Sequence, residues 1–65
     1  MKLRINGKSE ESGVATIAEL VAEQGLPAGR IVFEHNGAII KRELWAVTRL
    51  SDGDSLEIIQ FVGGG

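Results

Sequence analysis

Only one stretch of this chain has the period of a long helix, and that narrows the folds open to it. Thr16-Ile17-Ala18-Glu19 reads as a capping box: the Thr hydroxyl accepts from the N3 amide, and Glu19 reaches back to the Thr16 amide. From there Ile17, Leu20 and Val21 share one stripe, with Glu19 and Glu23 opposite, as far as about Gln24. Gly25 stands where helices end in a left-handed residue, Leu26 can close a contact onto Val21, and Pro27 prevents continuation. The rest of the chain reads as strands and turns. One amphipathic helix covers one face of a sheet, so the other face meets solvent.

Lys2-Leu3-Arg4-Ile5 alternates polar and apolar residues, the period of a half-buried strand. Asn6-Gly7 signals a type I′ hairpin, and Lys8 to Ser12 reads as a polar return strand whose charges suit a sheet edge. Arg30 to His35 is the next strand, Asn36-Gly37 a second tight turn, and Ala38-Ile39-Ile40 a short strand pairing back. Lys41 to Ala46 reads as a short helical turn carrying Leu44 and Trp45 towards the body. Ser51-Asp52-Gly53-Asp54 is a polar turn, and Ser55 to Val62 the last strand. The first and last strands are the most apolar, which places them side by side and parallel at the sheet centre. The expected class is α+β: a mixed four- to five-stranded sheet with one main helix packed on one face.

At 65 residues there is room for one domain, and a chain this short buries only about 60% of its unfolded surface. The balance of 43% apolar to 25% charged residues is that of a soluble globular protein and is too apolar for disorder. A net charge of −2 argues against nucleic acid as the main partner, and Lys2, Arg4 and Lys8 read as a solvated strand face. No apolar run approaches the roughly 20 residues of a membrane span, and the start lacks a signal-peptide pattern. The expectation is a soluble cytoplasmic protein, monomeric on its own. The absence of cysteine removes disulfides, thiolate metal sites and thiol nucleophiles together, and any sulfur handled here cannot ride on a cysteine persulfide. With one His and no Tyr, general acids and bases are scarce, so no catalytic side chain is assigned. Asp52-Gly53-Asp54 falls well short of a calcium loop and is read as a turn, leaving no metal site.

The chemistry is sought instead at the end of the chain. Leu56-Glu57-Ile58-Ile59-Gln60-Phe61-Val62 is strongly apolar and stops in Gly63-Gly64-Gly65. The expected division is a folded body over 1–62 and a flexible glycine tail over 63–65. An α-carboxyl group has a pKa of about 3.5 and is a poor electrophile at neutral pH, so the Gly65 carboxylate must be activated before anything attacks it. Three extended residues reach about 10 Å, and fixing them costs on the order of 3–6 kcal/mol. Some of that cost has to be offset by the body gripping a partner. Leu56, Ile58 and Val62 lie on one strand phase, Ile59 and Phe61 on the other. If the first set faces the helix, the second forms an exposed apolar patch of the kind that marks a partner site. Alternatively the Trp45 segment curls over Ile59 or Phe61 and buries them. The candidate contacts are Ile59, Phe61 and Val62, with Arg42 and Trp45 beside them, although Trp45 also suits the core.

Asn36-Gly37-x-Ile39-Ile40-x-Arg42-x-x-Trp45, followed by Leu50-x-Asp52-Gly53-Asp54-x-Leu56-Glu57-Ile58-Ile59-Gln60-Phe61-Val62-Gly63-Gly64-Gly65, closely resembles the ThiS family. These are small sulfur carriers of thiamine (thiazole) biosynthesis with a ubiquitin-like β-grasp fold. The resemblance runs over essentially the whole chain. Lys41 stands where many members have Pro, the tail has three glycines where two suffice, and His35 takes a position commonly apolar, read here as a partly buried structural histidine. The resemblance implies that Gly65 is the residue modified, with Gly63 and Gly64 threading into a partner's active site. A ThiF-like E1 enzyme would adenylate the carboxylate with ATP and Mg²⁺, neither of them bound by this chain. Sulfur from cysteine, delivered through a desulfurase, would replace AMP to give a thiocarboxylate, and thiazole synthase (ThiG) would consume it. The chain would then be a protein co-substrate and not an enzyme. A MoaD-like carrier for molybdopterin and a modifier joining Gly65 to a lysine amine share the fold and the activation. A β-grasp interaction module needing no tail, and glycines that are merely a frayed end, are the remaining readings.

Overall fold

The two Asn-Gly dipeptides set the edges of the sheet. In the computed structural model, which describes residues 1–62, β1 (Lys2–Ile5) turns through Asn6-Gly7 into antiparallel β2 (Lys8–Glu11), with Ile5 opposite Lys8. Asn6 and Gly7 sit at φ 50° and 82°, the positive pair that a type I′ turn demands. Asn36 and Gly37, at 51° and 90°, join β3 (Ile31–His35) to β4 (Ala38–Ile39) in the same way. Between the hairpins runs β5 (Ser55–Gln60), parallel to β1 and antiparallel to β3, giving the order β2-β1-β5-β3-β4. The sheet is mixed, five-stranded and built around the expected parallel β1–β5 pair: a β-grasp. Gly63, Gly64 and Gly65 lie outside the described residues.

The single helix, α1 (Ile17–Glu23), begins at Thr16 with both halves of the capping box formed. Its next donors are met from outside, since the amides of Ile17 and Ala18 donate to the carbonyls of Thr48 and Trp45 at 3.1 Å each. The segment after β4 thereby satisfies backbone groups that a helix start leaves open. At the other end Gly25 takes φ 66°, and the amides of Gly25 and Leu26 return to Ala22 and Val21 at 3.1 and 3.0 Å. That is a Schellman closure, and it needs the left-handed residue that glycine supplies without strain.

One face of the sheet packs on α1. Leu3 and Ile5 of β1, Ile31 and Phe33 of β3 and Leu56 of β5 meet Ile17, Leu20 and Val21, and Trp45 and Leu50 close the side. Phe33 and Trp45 are tilted at 56° with centroids 6.1 Å apart, and the indole N–H donates to the Ile40 carbonyl at 2.9 Å. The indole's polar end is therefore satisfied inside the core.

The bounds of several elements and the placing of Leu44 and Val62 differ from the sequence expectation, and β4 stops at Ile39, one residue short of Ile40. Arg30 belongs to a 3-10 turn (Ala28–Arg30), because its amide donates to the Pro27 carbonyl at 2.8 Å, and β3 starts one residue later. β2 stops at Glu11, and Ser12 turns inward, its hydroxyl bonding Glu23 at 3.0 Å. In the turn Arg42–Leu44 only Trp45 of the expected pair enters the core, while Leu44 stays exposed. Successive side chains in such a turn point about 120° apart, so both could not face inward. β5 ends at Gln60, opposite Ile31, because β3 has run out. Val62, expected on the helix-facing phase, projects into solvent instead.

Candidate functional site

The register of the sheet assembles the uncovered face residue by residue. Ile59 of β5 lies opposite Val32 of β3, and one row further from the chain's end Glu57, Glu34 and Ile39 form a line across β5, β3 and β4. Arg4 of β1, opposite Ser55, is on the same side. Ile59 is 48% exposed, Phe61 59%, Ile39 66% and Val62 81%. The covering role considered for the Trp45 segment is not filled, because Trp45 points into the core at 5% exposure. An apolar patch rimmed by charge therefore stands open beside the last described residues. Trp45 lies in the core beneath it and offers a partner almost no surface.

The base of the tail is held from both sides. On the β3 side the Phe61 amide donates to the Arg30 carbonyl at 2.8 Å, one residue beyond the end of β5. On the β1 side the strand partner stops at Ile5, and the side chain of Asn6 replaces it. Asn6 Oδ1 accepts from the Ile58 amide at 2.8 Å, and Nδ2 donates to the Ile58 carbonyl at 3.3 Å. A carboxamide presents one acceptor and one donor in a plane, so it extends the ladder as a backbone unit would. Sequence reasoning found Asn6 only as a turn residue. The available signal was that an Asn-Gly turn directly follows the strand expected to pair with β5. Arg42 is exposed, and its Nη1 lies 3.7 Å from where a Cβ on Gly29 would stand, which places it over the turn that leads into β3.

At the opposite end of β5 the polar groups serve the fold. Asp54 Oδ2 sits 2.7 Å from His35 Nε2 and accepts from the Ser51 amide at 2.8 Å, while Oδ1 accepts from Asn36 Nδ2 at 3.1 Å. Burial pushes the Asp54 carboxyl up, but His35, the Ser51 amide and Asn36 outweigh it and hold the group below its ordinary value. Asp52 Oδ1 accepts from the Lys2 amide at 2.6 Å. Both carboxylates of the Asp-Gly-Asp turn are thus committed to backbone and side-chain donors, the role expected of a turn. His35 is the partly buried structural residue that the sequence suggested.

Of the candidate residues, the structure brings Ile59 and Phe61 together beside the base of the tail, with Val62 following. Arg42 stands to one side and Trp45 beneath. Gly63, Gly64 and Gly65 lie outside the described residues. Among the described residues no helix is long and apolar enough to cross a membrane.

Comparison with known proteins bears on the family and the fold. Residues 3–65 match the ThiS family. The sulfur carrier protein ThiS of Bacillus subtilis is 37% identical over 65 residues, covering 97% of this chain and 98% of that protein. A thiazole synthase of Paramagnetospirillum magneticum is 38% identical over 66 aligned positions, covering the whole of this chain, and one of Magnetococcus marinus is 29% identical. The chain spans 20% of the length of each of these two synthases. The crystal structure of the thiamine biosynthesis protein ThiS from Geobacter metallireducens superposes with a TM-score of 0.84 at 33% identity, covering all of both chains.

Proposed function

Because the chain belongs to the ThiS family, we propose that it is a sulfur carrier for thiazole formation in thiamine biosynthesis. Its body, residues 1–62, acts as a handle, and Gly63-Gly64-Gly65 as the part inserted into partner active sites. A ThiF-like enzyme joins the Gly65 carboxylate to the AMP of ATP, with Mg²⁺, and releases pyrophosphate. A sulfur nucleophile derived from cysteine through a desulfurase then attacks the acyl carbon, the C–O bond to AMP breaks, and a thiocarboxylate remains. Thiazole synthase takes the sulfur, which regenerates the carboxylate. In this reading the chain supplies no catalytic side chain and binds no cofactor of its own, and it works in the cytoplasm.

The observation that carries the proposal is the open patch of Ile59 and Phe61 next to a backbone pinned at Ile58 and Phe61. Three glycines have no side chains with which to bind, so the affinity that offsets their ordering must come from the body. Intact mass spectrometry tests the chemistry: incubation with the cognate adenylating enzyme, ATP, Mg²⁺ and sulfide should add about 16 Da, one carboxylate oxygen exchanged for sulfur. Deletion of Gly65 should abolish the gain. An unchanged mass with demonstrably active enzyme overturns the reading.

A further inference from the structure

The uncovered sheet face carries a charge arrangement that the fold does not use. Glu34 of β3 lies directly opposite Glu57 of β5. Like charges in that position destabilise a sheet. The ion pairs among the described residues are Met1–Glu11 and His35–Asp54, and neither Glu34 nor Glu57 takes part in one. The cations nearest by register on this face are Arg4, opposite Ser55 and diagonal to Glu57, and Lys41, two residues beyond Ile39 and diagonal to Glu34, and neither is in ion-pair contact. The two carboxylates therefore form an anionic row at one end of the apolar strip begun by the paired Val32 and Ile59, with exposed Phe61 just past the end of β5. The base of the tail is at the other end.

We propose that Glu34 and Glu57 are the orienting part of the docking face, receiving an arginine side chain from the protein that takes the tail. The inference rests on the sulfur-carrier reading and deepens it. Apolar contact is non-directional, and an isoleucine–phenylalanine strip by itself tolerates a partner turned end for end. Acids at one end only remove that ambiguity, because the reversed placement leaves them facing the wrong groups. Orientation decides the outcome, since turning β5 around would send the tail away from the active site. A guanidinium fits better than an ammonium: its planar fork can address two carboxylates whose Cβ atoms stand about 5 Å apart across a strand pair. A divalent ion fits poorly, because two carboxylates fall short of its shell and no third acidic or imidazole ligand is grouped with them among the described residues.

The test measures association of the cognate adenylating enzyme with the full chain, at low and high salt, for three variants beside wild type. Glu34→Gln/Glu57→Gln should slow association at low salt roughly three- to tenfold and flatten its salt dependence. Its thermal midpoint should stay the same or rise, because a repulsion has been removed. Glu34→Lys/Glu57→Lys should slow association further and reverse the salt dependence. Ile59→Asp should abolish binding. If both charge variants associate like wild type while Ile59→Asp does not bind, the face docks but the acids do not orient it, and the inference is overturned. A lowered thermal midpoint in the Gln pair, matched by its loss of binding, would make the acids structural and overturn it as well. If Ile59→Asp binds normally, the docking face itself is wrong, while the mass test of the carrier chemistry still stands apart.

Discussion

Replacing Phe61 by alanine tests the proposed docking face separately from the fold. The side chain is 59% exposed and is not part of the buried cluster around Phe33 and Trp45, whereas the backbone amide is bonded to Arg30. A phenylalanine buries about 150–250 Å² when fully covered. The fraction still open at Phe61 is thus roughly 90–150 Å², worth about 2–4 kcal/mol at about 25 cal/mol per Å². A partner does not cover all of it, and complex formation has its own ordering costs, so about 2 kcal/mol is the expected loss, near thirtyfold in Kd.

Calorimetry against the cognate adenylating enzyme and a thermal melt of the free variant check this together. The expected result is a large loss of affinity with a melting temperature close to wild type. A saturating concentration of enzyme should restore thiocarboxylate formation, because Gly65 and its reach are unchanged. Two results would refute the reasoning. An affinity within twofold of wild type would show that the open ring is not a contact. A fall of several degrees in the melt would show that Phe61 contributes to the fold.

Asn6→Asp keeps a residue tolerant of positive φ in the turn but removes the donor to the Ile58 carbonyl. It should cost about 1–2 kcal/mol in urea unfolding and speed hydrogen exchange at the Ile58 amide; unchanged exchange would mean that the side chain does not extend the ladder. Asp54 gives a pH dependence of known sign. Its folded pKa lies below the ordinary value, so its ionised form stabilises the protein above the unfolded value near 3.9, and that contribution is lost as pH falls through the folded value. Thermal melts from neutral pH downward should show wild type losing stability below about pH 4 more steeply than Asp54→Asn; parallel profiles would contradict the assignment.

What could be read from the sequence was whatever local chemistry decides. The capping box at Thr16, the Schellman glycine at Gly25 and the paired positive φ of the Asn-Gly turns each follow from a few adjacent residues, and all are present. The expected parallel pairing of β1 with β5 is present, although apolar content does not single it out, since β1 has two apolar residues of four and β3 three of five. Outcomes that depend on distant partners were not legible. Val62 looked like a core residue by phase, but phase has no meaning once β3 has ended and there is no strand to pair with. Whether Ile59 and Phe61 were covered turned on where Trp45 went, and that was decided by the room beside Phe33 and by an acceptor at Ile40 for the indole N–H. Asn6 was recognised for its backbone and missed for its side chain, since its bond partner is 52 positions away.

The position of the polar groups argues for how such a body should work. A carrier whose reactive atom is at the end of a bare glycine run gains nothing from a rigid tail, but it does gain from a tail that starts at a fixed point. Error in that starting point is passed to the reacting carbon, and misplacement of about 1 Å can cost a hundredfold in rate. Here β5 is fixed at its start by the Asp54, Asn36 and Ser55 contacts, and near its end by Asn6 on one side and Arg30 on the other. The strand thus runs as a held rod between two clamps, with its apolar outer face left open over the last few residues before the glycines. Loosening the second clamp should therefore impair transfer more than binding, whereas removing the open face should impair binding more than transfer. That contrast separates Asn6→Asp from Phe61→Ala in a single set of saturation curves.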